Sequence, residues 1–418
     1  MKKILIVTYS MTPYSNSFGS FQRMYFLAEY LLKKNLEIVV ISYKDKMVNR
    51  INSGYKVNFN HIAINTNKFM SFLERIYNYV IKINIIKFNF SFIEELNLLN
   101  GIGGITWLIS AKKIIKKTII KNNIDTVIIS GPPFTLFSGV RFIKKYKCQI
   151  ILDYRDPWFN WSKNSYLRKK EKKFLSQVDK VMVFSELFMN DLIIEYNLEK
   201  SKCFAVYNGF INDSWNNYIQ ESPDRIDYEF DAKYLNITLT GSYSLTSHEP
   251  TSIVKFLETL SNYQYKNNFK IRIVGLKREN SIYWENKLMG IVIFTGTVKH
   301  KDAINLILKS DVLLMSYPCE DIFRTRYMIM GKFMDYLKSK KPIWGISNHP
   351  SEFSSMISQY GLGINCNNSE EEIKKYLDIL LELKEKNSLP TLRNKNFDLE
   401  YFYERDFQYN RFVENCSN

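Results

Sequence analysis

Short apolar runs rich in β-branched residues alternate along the chain with stretches whose apolar positions recur every three to four residues. That alternation predicts parallel sheets with helices on both faces. Ile4–Thr8 is the first such run, followed by a polar loop over Ser10–Ser20. Met24, Leu27, Ala28, Leu31 and Leu32 then fall at helical spacing. Further strands are predicted at Glu37–Ser42, Thr126–Ser130, Gln149–Asp153, Lys180–Phe184 and Cys203–Val206. The polar, acidic stretch 211–232 interrupts the pattern, which restarts with Leu235–Thr240, Lys270–Val274, Val292–Phe294, Val312–Met315 and Pro342–Ile346. Asp398–Asn415 has a helical pattern beyond the second sheet. The chain therefore reads as domain 1–215, linker 216–232, domain 233–396 and a C-terminal helix, 397–418, that can return to the first domain. By the switch-point rule, ligands of such doubly wound sheets meet the carboxyl ends of the strands, here in a cleft between the two domains.

A chain of 418 residues, 45% hydrophobic and 24% charged, is too long for one core and has the composition of a soluble globular protein. Its 58 Lys+Arg against 42 Asp+Glu give a net charge of +16. Residues 1–215 hold 32 basic and 16 acidic side chains, so the whole excess lies in the first half, and 51–150 alone holds 14 against 4. Such asymmetry suits a polyanionic partner. The five cysteines are widely spaced and the four histidines stand apart, which argues against a disulfide framework and a metal centre. Met1-Lys2-Lys3 and a four-residue apolar run fall short of a signal peptide, and no apolar stretch is long enough to span a bilayer. The expectation is a cytoplasmic protein.

Several segments, in order, resemble glycosyltransferase family 4, the retaining, nucleotide-sugar-dependent enzymes. The most specific is DTVIISGPPFTLFSGVRFIKKYKCQIILDYRDPW, from Asp125 to Trp158, similar to a subset carrying PPF followed by DFRDPW; Trp107 also fits that subset. The opening strand–loop–helix, FSELFMNDLIIEYNLEKSKCFAVYNGF, LNITLTGSYS, FTGTVKHKDAINLILKSDVLLMSY and GKFMDYLKSKKPIWGI complete the set, which spans most of the chain outside 45–100. The resemblance implies an α/β chain of the GT-B fold, two Rossmann-like doubly wound domains facing a central cleft. The chain also departs from the family. Tyr327 and Asp335 stand where its signature has two glutamates, the second of which meets the donor ribose. The Arg and Lys expected after the first strand of the second domain are missing from 241–248.

The candidate site follows. Gly19, in the loop before the first helix, lets backbone N–H groups approach a phosphate. Gly241 and Ser242 suit the same contact in the second half. Arg324, Arg326 and Lys332 are the cations left to hold a diphosphate whose charge grows as the sugar bond breaks. Asp335 accepts ribose hydroxyls, Glu320 reaches the sugar, and Thr297 and Val298 meet the base. Asp156 orients the acceptor hydroxyl, with Arg155 and Trp158 on the acceptor side. His300 reads as a helix-start residue. With no paired-carboxylate motif at a strand end, transfer is expected to need no metal and no other cofactor.

Lys112, Lys113, Lys116 and Lys117 lie on one side of a helix whose other side is Leu108, Ala111, Ile115 and Ile119, and 69–92 mixes aromatics with basic residues. That is a membrane-interface pattern, and no nucleic-acid motif accompanies it. The sequence thus predicts a transferase moving sugar from a nucleotide sugar to a lipid-linked or glycan acceptor for bacterial surface polysaccharide, on the inner face of the cytoplasmic membrane. A sugar-nucleotide 2-epimerase of the same build, or a non-catalytic binding subunit, are the alternatives.

Overall fold

The structure is a computed structural model. It describes residues 3–15, 18–44, 56–82, 103–158, 165–210, 230–241, 245, 252–276, 280–316, 322–327, 329, 331–393 and 403–416. These form two compact units, 1–208 with 406–418, and 209–405. The chain thus leaves the first unit at Asn208, before the expected linker, and residues 216–229 of that linker lie outside the described residues.

The first unit runs β1 (Lys3–Thr8), α1 (Phe18–Lys33), β2 (Glu37–Tyr43), β3 (Asn60–Ile64), α2 (Lys68–Lys82), α3 (Gly103–Asn122), β4 (Thr126–Gly131), β5 (Gln149–Tyr154), α4 (Ser165–Leu175), β6 (Lys180–Val183), α5 (Glu186–Tyr196) and β7 (Cys203–Ala205). Its strands are parallel in the order β3-β2-β1-β4-β5-β6-β7, so the order reverses between β1 and β4. Both faces of these strands are covered, which is why Ile4–Val7 of β1 and Val127–Ile129 of β4 read as unbroken apolar runs.

The second unit runs β8 (Leu235–Thr240), α6 (Ser252–Ser261), β9 (Phe269–Val274), α7 (Ser281–Lys287), β10 (Val292–Gly296), α8 (His300–Lys309), β11 (Val312–Ser316), α9 (Ile322–Tyr327), α10 (Gly331–Ser339), β12 (Ile343–Ile346), α11 (Glu352–Gln359), β13 (Gly363–Cys366) and α12 (Glu370–Glu385). Its order, β10-β9-β8-β11-β12-β13, repeats the pattern, with reversal between β8 and β11. Both units are Rossmann-like.

A last helix, α13 (Arg405–Cys416), belongs to the first unit. Tyr409, Phe412 and Cys416 join the core formed by Ile4, Ile6, Leu27, Leu31, Ile128 and Ile151. Tyr409 Oη donates to the Arg23 carbonyl at 3.0 Å, and Arg411 pairs with Glu186 at 2.9 Å.

Two strands escape the sequence pattern. β3, NHIAI, is an edge strand of half-buried residues carrying two polar side chains. β13, GINC, is only four residues long and begins with a glycine. A Cβ on Gly363 would lie 2.0 Å from the Ile343 carbonyl oxygen, so the pairing of β13 with β12 requires glycine there. Among the described residues no helix is long and apolar enough to cross a membrane.

Candidate functional site

In the second unit the reversal point between β8 and β11 is tied together by one phenol. Tyr336, fully buried in α10, accepts from the Thr240 N–H at 2.9 Å, and its Oη lies 3.4 Å from the Leu314 carbonyl. Burial, only partly offset by the Thr240 contacts, pushes the phenol up to about 12, so it stays protonated. This bond brings the first turns of α10 under the carboxyl end of β8. There the chain turns at Gly241, with φ +86°, where a Cβ would meet the Lys332 Cδ at 3.6 Å.

Lys332 is the cation of this place. Its Nζ is buried and has no hydrogen-bond partner among the described residues. Burial alone drags its pKa from 10.5 to about 7. A buried amine at the carboxyl edge of a doubly wound sheet is one that a nearby anion would return to its charged form.

Asp335 stands three residues further along the same helix. Its Oδ2 lies 3.0 Å from His300 Nε2, at the start of α8. Burial opposes charge on the imidazole, but the hydrogen bond and charge of Asp335 outweigh it and raise the His300 pKa above 6.5. Thr297 is exposed and Val298 half-buried, just after Gly296, which turns with φ +77° at the end of β10. Of the other expected cations, Arg326 is exposed, with its guanidinium 5.5 Å from the Tyr327 ring centroid. The Arg324 side chain lies outside the described residues, as do Ser242 and Glu320. Only Lys332 of the three is seen desolvated.

In the first unit the two halves of the PPF and DYRDPW motif prove to be one structure. Arg155 Nε donates to the Gly131 carbonyl at 3.3 Å, its Nη2 donates to that of Pro132, and its backbone N–H bonds Gly131 again at 3.0 Å. Trp158 stacks on Phe134, with ring planes 3° apart and centroids 5.3 Å apart, and also faces Phe174. This corrects the expectation for Trp158, which is 1% exposed and has no surface to offer an acceptor. Arg155, half-buried, holds the turn after β4. Asp156, half-buried beside Arg155, keeps some exposure. Gly19 is also displaced from expectation, because the helix starts earlier than its polar sequence suggests. It sits in the first turn of α1, not in a loop.

Three features were not anticipated. Arg23 and Asp153 form a buried ion pair at 2.9 Å, and Ser130 Oγ donates to the other carboxylate oxygen at 2.7 Å. At the carboxyl ends of β1 and β2, Tyr9 and Tyr43 stack with centroids 4.8 Å apart, and Trp107 meets Tyr9 edge-on. His61, bonded to Ser42 Oγ at 2.8 Å, is held neutral by burial, its pKa lowered to about 4. Tyr9 and Tyr43 lie at strand ends where aromatic residues are common, so local pattern gave no signal for the stack.

The lysines of α3 divide. Lys112, Lys113 and Lys117 are exposed and Lys116 is half-buried. Lys112 and Lys116 place their ammonium groups 5.5 and 6.0 Å from the Phe142 ring centroid. On neighbouring α2, Phe69, Phe72 and Ile76 are 64, 57 and 44% exposed at positions that share one helical face.

Residues 19–212, nearly all of the first unit, match the family described as Glycosyltransferase Family 4. No curated protein matches the chain significantly. Among solved structures, a glycosyltransferase from Rickettsia africae is similar over 99% of this chain and 97% of that one, with TM-score 0.63 and 16% identity. Anabaena Alr3699/HepE in complex with UDP is similar over the full length of both chains, with TM-score 0.63 and 11% identity. The UDP-GlcNAc 2-epimerase of Neisseria meningitidis, bound to UDP-GlcNAc, covers 99% of each at TM-score 0.57 and 14% identity. At these identities the likeness is one of fold, the GT-B pairing of two Rossmann-like units.

Proposed function

We propose that this chain, whose residues 19–212 match glycosyltransferase family 4, is a glycosyltransferase that moves a sugar from a nucleotide sugar, with retention, onto a lipid-linked or glycan acceptor. The setting is assembly of bacterial surface polysaccharide (capsule, O-antigen or exopolysaccharide) on the inner face of the cytoplasmic membrane. The observation that carries this reading is Lys332, whose buried Nζ has no hydrogen-bond partner among the described residues and which packs against Gly241 where the strand order reverses. A nucleoside diphosphate supplies the missing anion.

The roles then follow from charge. Lys332, with Arg326 and Arg324, balances the diphosphate as the bond from its oxygen to the anomeric carbon breaks. The acceptor oxygen bonds that carbon on the same face, and its proton passes to the departing phosphate oxygen. Asp156 orients the acceptor hydroxyl. Gly19, Gly241 and Ser242 offer backbone N–H groups, Asp335 takes the ribose, Glu320 the sugar, and Thr297 and Val298 the base. No metal enters the scheme. The exposed lysines of α3 and the apolar face of α2 meet the anionic leaflet.

Incubation with labelled nucleotide sugars and a bacterial membrane extract, in excess chelator, tests the reading. The expected result is label in an extractable lipid or glycan product. Conversion of the donor to its 2-epimer without transfer would support the epimerase alternative. Turnover that needs added magnesium or manganese would overturn the metal-free scheme.

A further inference from the structure

Glu74, on α2, is one of only four acids among residues 51–150, against 14 basic side chains, yet it pairs with no cation among the described residues. Its partner is a hydroxyl. Thr106 Oγ1, in the first turn of α3, donates to Glu74 Oε1. The other oxygen, Oε2, has no hydrogen-bond partner among the described residues, and the side chain is half-buried. A carboxylate accepts up to about four hydrogen bonds, so Glu74 keeps capacity for further hydroxyl donors.

The fold brings this carboxylate to the carboxyl edge of the first sheet. Gly103 opens α3, and a Cβ there would lie 3.1 Å from Tyr9 Oη and 3.8 Å from Glu74 Oε1, so the two oxygens border one spot. Tyr9 follows β1, which flanks the reversal of strand order where ligands of such sheets bind, and Tyr43 ends β2. Trp107 Nε1 donates to the Ile64 carbonyl at 3.0 Å and fixes α3 to the end of β3. On α2, Phe69, Phe72 and Ile76 are exposed, and at 3.6 residues per turn Glu74 lies on nearly the opposite side. The helix belongs to 45–100, the stretch that carries none of the family motifs, so the arrangement is this chain's own. Resting on the transfer reading above, we infer that Glu74 is an acceptor-contact residue whose Oε2 accepts a hydroxyl of the acceptor's sugar beside the Tyr9–Tyr43 stack. With the apolar side of α2 on the leaflet, the carboxylate stands roughly one helix diameter, 10 Å, from it, so the acceptor is the lipid-linked one of the two classes.

The test is transfer by the full chain from labelled UDP- and GDP-sugars to a titrated lipid extract of bacterial membranes, with a water-soluble glycan fraction of the same cells in parallel. Label should enter the lipid fraction. Glu74→Ala should need about tenfold more extract for half-maximal rate, as expected for one lost charged hydrogen bond. That shift should exceed any fall in its maximal rate, and its calorimetric affinity for UDP or GDP should match wild type. Glu74→Gln, which keeps one oxygen, should recover part of the shift. Thr106→Val removes the internal bond but leaves the carboxylate, so it should move half-saturation far less than Glu74→Ala does. An unshifted half-saturation in Glu74→Ala overturns the inference. So does an equal shift in Thr106→Val, which would make the pair a structural tie alone. Label only in the soluble glycan overturns the choice of a lipid-linked acceptor. If wild type labels neither fraction, the transfer reading falls, and this inference with it.

Discussion

Arg23 Nε donates to Asp153 Oδ1 at 2.9 Å, with the two side chains only 3 and 0% exposed. The same guanidinium donates to the carbonyl of Val206 at 2.6 Å and to Asn208 Oδ1 at 3.2 Å, and reaches Val183 O at 3.4 Å. One arginine of α1 thus ties the carboxyl ends of β5, β6 and β7, the edge on which a ligand of this sheet is expected. Removing one member of a buried pair strands the other charge and costs roughly 3–5 kcal/mol. Asp153→Ala should therefore lower the urea midpoint of the first unit sharply. Replacing both, as Arg23→Met with Asp153→Leu, should recover a good part of the loss. Equal midpoints for wild type and Asp153→Ala would show that the pair is not holding the edge.

Glu171 gives a pH-dependent prediction. It is 1% exposed, and Tyr196 Oη donates to its Oε2 at 2.6 Å. Burial raises its pKa from 4.5 to about 8, against the lowering effect of the tyrosine hydrogen bonds and of Arg168. Between those values the folded state holds a proton that the unfolded chain has lost. Stability conferred by this acid is complete below pH 4.5 and falls as pH rises toward 8, by up to about 1.4 kcal/mol per unit. Glu171→Gln cannot ionise and keeps a carbonyl for Tyr196. Its stability relative to wild type should rise steadily from pH 5 to pH 8 in urea titrations. A difference that stays flat over that range would mean that Glu171 is ionised in the fold.

The basic face of α3 should bind anionic membranes in a salt-sensitive way. Each Lys or Arg near an anionic leaflet contributes about 1 kcal/mol, and salt near 1 M cuts the screening length to about 3 Å. The structure sharpens the choice of variants. Lys112 and Lys116 also face the Phe142 ring, whereas Lys113 and Lys117 are exposed without that ring contact and are the better probes. Lys113→Glu with Lys117→Glu should reduce pelleting with phosphatidylglycerol vesicles and leave nucleotide binding unchanged. Equal pelleting with neutral and anionic vesicles would show a merely solvated helix face.

Local pattern carried the architecture but not the pairings. β1 and β4 were legible because strands covered on both faces are apolar through their centres. β3 and β13 were not, because an edge strand tolerates the polar side chains of Asn60 and His61, and β13 is four residues led by Gly363. The motif halves around Pro133 and Asp156 were visible as separate strings. Their union through Arg155 and the Phe134–Trp158 stack is made only by the folded chain. Arg23 and Asp153 are 130 residues apart, a separation at which no periodicity speaks. His300 read as a helix start, which it is, and its partner lay in another motif. Asp335 was singled out because a resemblance fixed its helix and Lys332 as a cation at the start of that helix in place of a missing Arg and Lys, while the desolvation of Lys332 could come only from packing.

That desolvation gives the sharpest test of the donor site. The Lys332 pKa is about 7 in the fold against an ordinary 10.5, so at pH 8 most molecules carry a neutral amine. A bound diphosphate restores the charged form, and nucleotide binding should therefore take up protons at pH 8 and few at pH 6. Calorimetry of UDP binding in two buffers of different ionisation enthalpy measures that uptake directly. Lys332→Met should bind more weakly and lose the uptake. The stability consequence has the opposite sign. Between pH 7 and 10.5 the unfolded chain binds the proton that the fold refuses, so wild-type stability from this group rises with pH. Lys332→Met is expected to be the more stable protein at pH 6, with the difference closing toward pH 10. Proton uptake of equal size in wild type and Lys332→Met would remove Lys332 from the diphosphate site.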